Sequence, residues 1–68
     1  MEYNYIKSAL EQLASWPIPV LVDLKNGGKY WLYVKYVELG YAYFTARPFD
    51  DVSEVFAISD IARVERVW

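Results

Sequence analysis

The chain has 68 residues and a net charge of −2; 56% of its side chains are apolar and 19% aromatic, and it contains neither cysteine nor histidine. These bounds exclude disulfides and thiolate metal sites. They also remove the commonest transition-metal ligand and the usual general base, and they lack the basic stripe of a duplex-DNA binder.

A chain this short forms one domain, residues 1–68, that buries only ~60% of its unfolded surface. Domains of this size usually need a staple, and with disulfides and zinc gone the remaining one is association. Seven Tyr, three Trp and three Phe exceed what one small core hides. Some therefore belong on a surface, where Tyr and Trp favour interfaces. The start, Met1-Glu2-Tyr3-Asn4, has no basic segment ahead of an apolar core. No apolar run approaches the ~18 residues that span a bilayer. The expectation is a cytoplasmic protein with no membrane partner.

Taken in chain order, Tyr3, Ile6, Leu10 and Leu13 recur at helical spacing, which predicts an amphipathic helix over residues 4–15 with Asn4 as its N-cap. Pro17 and Pro19 end it. So short a helix is marginal alone and must lie on something, most simply the open end of a barrel. Residues 20–25 form the first strand, with Val20, Val22 and Leu24 facing in. Asn26-Gly27 is a strong hairpin signal that calls for positive φ at both central residues, and Gly28 allows a bulge or a looser turn.

The second strand, residues 29–38, is long and apolar or aromatic on both faces, as in a strand that bends across a barrel. Glu38-Leu39-Gly40 turns the chain into a third strand, residues 41–46, with Ala42 and Phe44 on one face and Tyr41, Tyr43 and Thr45 on the other. Residues 47–53 are the one sizeable loop. Its Asp50-Asp51 with Glu54 matches no calcium-loop spacing and offers too few oxygen ligands, so no metal or cofactor is expected. Residues 54–58 and 61–67 are two short closing strands around a minimal Ser59-Asp60 turn. One helix followed by five short strands is the layout of a small, strongly bent β-barrel, mostly β, whose end strands are edges.

Three short runs, Ile18-Pro19-Val20, Asn26-Gly27 and Ala57-Ile58-Ser59, resemble the Sm-like (LSm) family, and within it the bacterial RNA chaperones of the Hfq type. The resemblance covers nearly the whole chain in order, spacing and apolar pattern. It implies an N-terminal helix on a five-stranded, SH3-like open barrel. It further implies a homo-oligomeric ring in which strand four of one copy pairs with strand five of the next. Val55, Phe56, Ile58, Ile61, Val64 and Val67 would then lie at the subunit interface. Pairing of that kind is heterologous and must close or run on as a fibre.

The family binds single-stranded RNA by stacking bases on aromatics around a pore. Here that mode would fall to Tyr41, Phe56, Tyr30 and Trp31, with Lys25, Lys29 and Arg47 reaching phosphates. Several family positions differ. The usual strand-two glycine is Leu32, the usual loop Asn is Ala42, and a base-stacking tyrosine position is Asp23. The Tyr-Lys-His triplet is Glu54-Val55-Phe56, and the basic rim at the helix end is Ala14-Ser15-Trp16-Pro17.

Two functions remain in competition: a ring that binds single-stranded RNA, and a scaffold ring that binds protein without RNA activity. No paired carboxylates on a fixed element and no His or Cys suggest catalysis, so neither an enzyme nor a small-molecule substrate is expected.

Overall fold

The computed structural model describes residues 2–14 and 18–67. The prolyl stop at Pro17 and most of the Ala14-Ser15-Trp16-Pro17 segment lie outside the described residues. The helix, α1, is Glu2–Leu13. It starts earlier than the capping pattern suggests, so Asn4 is an exposed residue of the first turn rather than the N-cap. Ile6 and Leu10 are buried, Leu13 is partly so, and Tyr3 remains exposed. Through that stripe α1 packs on the second and fifth strands and on the connection between the last two.

The strands are β1 (Pro19–Leu24), β2 (Lys29–Glu38), β3 (Tyr41–Thr45), β4 (Glu54–Ala57) and β5 (Ile61–Arg66). They form one antiparallel sheet in the order β4-β3-β2-β1-β5. Strands β4 and β5 are therefore at opposite ends of the sheet, yet only a three-residue 3-10 turn, η1 (Ile58–Asp60), joins them. The sheet meets that demand by bending back on itself. The ring of Tyr30, at the start of β2, lies 5.1 Å from that of Phe56 in β4, and the molecule measures 29 × 22 × 21 Å. Where the sequence suggests a fifth residue of strand four followed by a two-residue turn, Ile58 is instead the first residue of η1.

Two bulges supply the bend. The register passes from Val34↔Phe44 to Tyr36↔Tyr43, leaving Lys35 extra in β2. It passes from Leu24↔Ile61 to Asp23↔Arg63, leaving Ala62 extra in β5. An extra residue sharpens local twist and bends the strand. The bulge at Lys35 also moves Tyr36 to the outward face, where its ring stacks on that of Tyr43 at 4.4 Å. Plain alternation along residues 29–38 would place Tyr36 on the face of Leu32 and Val34.

The core is the concave side closed by α1. It holds Val20, Val22, Leu24, Leu32, Val34, Ala42, Phe44, Ile58 and Ile61, with Ile6 and Leu10 from the helix. The inward set expected for β1 and the Ala42–Phe44 face of β3 are both found there. Among the described residues Thr45 is the buried polar residue, on the other face of β3 from Ala42 and Phe44, and its hydroxyl donates to the Arg47 carbonyl at 2.5 Å.

Candidate functional site: two open edges and an aromatic face

Backbone pairing defines the edges. Ile58 N–H donates to the Gly40 carbonyl, so along β4 the groups of Phe56 and Glu54 also point at β3. Those of Val55 and Ala57 alternate away from it, toward open space. Val67 N–H donates to the Pro19 carbonyl. By the same alternation Val64 presents its backbone groups on the far side of β5. One chain thus carries two edge strands, β4 and β5. Neither contains a proline, one of the devices by which edge strands refuse partners.

The outward face of the sheet is aromatic. Across β5, β1 and β2, Glu65, Leu21 and Trp31 form one row and Arg63, Asp23 and Lys29 the next. Trp31 is 65% exposed. Tyr33 follows along β2 opposite Thr45. Beyond the bulge, Tyr36, Tyr43 and Val55 make a row, with Glu38, Tyr41 and Ala57 next to it. Charges on this face are largely matched within the chain. Lys29 Nζ is 3.3 Å from Asp23 Oδ1, and Arg63 Nη2 is 3.0 Å from Glu65 Oε2.

At one end of the molecule the turns converge. Lys25 N–H donates to the Asp60 carbonyl, and Ile58 N–H to that of Gly40, each at 2.9 Å. The β1–β2 turn, η1 and the β2–β3 turn are therefore neighbours. In the first of these, only Gly27 has positive φ (97°). Asn26 does not share it, and its side chain instead accepts the Gly28 N–H at 2.9 Å. The β2–β3 turn has positive φ at both central residues, Leu39 (52°) and Gly40 (84°). That is the type I′ pattern, which Asn, Asp and Gly normally fill. Phe49, in the β3–β4 loop, also has positive φ (61°).

The residues singled out from sequence separate on this frame. Lys25, Lys29 and Tyr30 gather around the β1–β2 turn, with Trp31 beside them on the outward face. Tyr41 is exposed at the far end of β2, next to the β2–β3 turn. Arg47 is exposed after the opposite end of β3, apart from the others. Phe56 turns inward and is half-buried between Tyr30 and Phe44. Of the interface residues, Val55 and Val67 are exposed and Val64 is partly buried. Ile58 and Ile61, at 1% exposure each, belong to the protomer's own core.

Two residues escaped the sequence reading. Leu39 and Phe49 are 91% and 90% exposed. They are also the two non-glycine residues with positive φ among those described.

The fold shown is a mostly β domain, one helix on a five-stranded antiparallel sheet. Comparison of the chain with protein-family models, with characterised proteins and with solved structures found no match. No helix among the described residues is long and apolar enough to cross a membrane.

Proposed function

We propose that this chain is the protomer of a closed Sm-like ring, built on an SH3-like barrel, that binds single-stranded RNA. One observation carries the reading: a single chain holds two edge strands, at opposite ends of one sheet, tied to each other by three residues. An edge of one kind facing an edge of another is a heterologous contact, and it closes into a ring when the rotation between copies allows. A small domain with no disulfide gains its missing stability from that contact.

RNA enters through the outward aromatics. Trp31 and Tyr41 offer exposed rings on which bases stack, a contact indifferent to sequence. Lys25, Lys29 and Arg47 lie within the same assembly to meet phosphates. A ring repeats each of these modest contacts once per copy. The matched pairs Lys29–Asp23 and Arg63–Glu65 favour a second reading, a scaffold ring that docks protein on the same face. In either case the role is binding rather than catalysis.

The assembly is tested with Ala57→Pro. Ala57 has φ −65°, which proline adopts without strain, and its N–H points away from β3. The variant should keep the protomer folded and remove edge pairing. Light scattering should give a multiple of 8.0 kDa for the native chain and a single copy for the variant. A native chain that elutes as one copy at micromolar concentration overturns the ring. RNA is tested separately, by titrating labelled oligo-U and oligo-A at two salt concentrations. Binding that weakens with salt supports phosphate contacts, and Lys29→Glu should weaken it further without changing the ring mass. An intact ring that binds neither oligonucleotide leaves the scaffold reading.

A further inference from the structure

Tyr36 and Tyr43 are Cα partners across β2 and β3 and share the outward face of the sheet. Their rings stack with centroids 4.4 Å apart and planes 24° from parallel. Among the described residues this is the one contact between two tyrosine rings. It exists because of the bulge: alternation alone would turn Tyr36 inward, and the surplus Lys35 turns it out. The bulge is itself anchored, since Lys35 Nζ donates to the Asp50 carbonyl at 2.7 Å. Tyr36 is 40% exposed and Tyr43 partly so, so a reagent in solvent reaches the pair. Composition gives the contact its chemistry. Oxidation of a protein normally falls first on cysteine and methionine. This chain has no cysteine, and Met1 is its one methionine. The oxidisable side chains left are tyrosine and tryptophan.

We propose that Tyr36 and Tyr43 are a cross-linking site, at which a one-electron oxidant joins β2 to β3 through a dityrosine bond. Each phenol gives one electron to the oxidant and one proton to water, so two equivalents of oxidant are reduced. The two phenoxyl radicals couple through ring carbons adjacent to the C–O carbons, forming one carbon–carbon bond. The hydrogens on those carbons move to the oxygens as the rings regain aromaticity, and no other group leaves. Radicals held in contact by neighbouring strands couple within one chain before two chains meet, because the encounter is already made. The bond closes a loop from Tyr36 to Tyr43 around the Leu39-Gly40 turn, where the left-handed Leu39 (φ 52°) is a strained position. A covalent tie there restricts the unfolded chain, as a disulfide does. It supplies the staple that a cysteine-free domain of this size lacks. The site belongs to the folded protomer and stands whether or not copies assemble.

The test irradiates the native chain with ruthenium trisbipyridine and persulfate, a photochemical one-electron oxidant. The expected product has the mass of a single chain and the fluorescence of dityrosine. Glu38 lies between the two tyrosines, so the fragments flanking it should stay joined after proteolysis at that residue. Tyr36→Phe and Tyr43→Phe keep a ring at each position, and each should abolish the product. Tyr33→Phe and Tyr41→Phe should form it undiminished. In the Ala57→Pro background, where assembly does not contribute, the purified cross-linked protomer should unfold at least about 5 °C above the untreated one. Dityrosine that persists within one chain of Tyr36→Phe or Tyr43→Phe, that forms only between chains, or that fails to form overturns the site. A cross-linked protomer that melts no higher overturns its role as a staple.

Discussion

Phe44 is wholly buried, and its ring lies 5.7 Å from that of Phe56, which in turn touches Tyr30. The three rings join β3, β4 and the start of β2, so Phe44 holds the bend as well as filling the core. Phe44→Ala should cost about 3–5 kcal/mol, against the ~3–5 kcal/mol that a core of this size supplies. A urea titration followed by circular dichroism should find the variant largely unfolded without denaturant. The inward positions were legible from residue types, since Val20, Val22 and Leu24 alternate with more exposed neighbours and all three are buried. Leu39 and Phe49 were not. Left-handed backbone normally announces itself through Gly or Asn, and these two adopt it at a cost of about 1–2 kcal/mol each. At Leu39 the two-residue turn shared with Gly40 imposes it; the loop that holds Phe49 is tied to a distant segment by Lys35 and Asp50, which no local pattern contains.

At the scale of elements, α1 is attached by a narrow stripe. Ile6 and Leu10 are its buried apolar residues, and a helix of twelve residues has little stability of its own. Leu10→Ala should remove about 2–5 kcal/mol of packing and release the helix before the sheet. Hydrogen exchange should quicken over residues 2–13 ahead of β2, and equal loss across both would contradict that order. The five strands and the helix were readable from periodicity, and their ends fell within two residues of the structure. What periodicity could not show was the phase change in β2. Tyr36 reads as inward by alternation, and one surplus residue turns it outward onto Tyr43. Nor could periodicity show how far Phe56 is covered, because that depends on Tyr30 arriving from the far side of the sheet.

At the scale of the molecule, β4 and β5 terminate opposite ends of the sheet and are not paired with each other. In the ring proposed above, folding and association would be linked, and the stability of the protomer would depend on its partners by mass action. Thermal unfolding of the native chain should shift to higher temperature as protein concentration rises from low to high micromolar. The Ala57→Pro variant should show a midpoint independent of concentration. A native midpoint equally independent would mean that the edges stay vacant in solution.

The two bulges carry a further consequence. Omit Lys35, and the pairings Val34↔Phe44 and Tyr36↔Tyr43 fall into uninterrupted step; omit Ala62, and β5 does the same against β1. Every greasy side chain would still look the right way in the shortened polypeptide. The sharpened bends would go, and with them part of the curl that brings Tyr30 to Phe56. Polarity patterning and curvature are thus written separately. A homologous sequence faultless in the first but lacking these two spare letters would keep a sheet's ordinary twist and wrap its oily side less tightly.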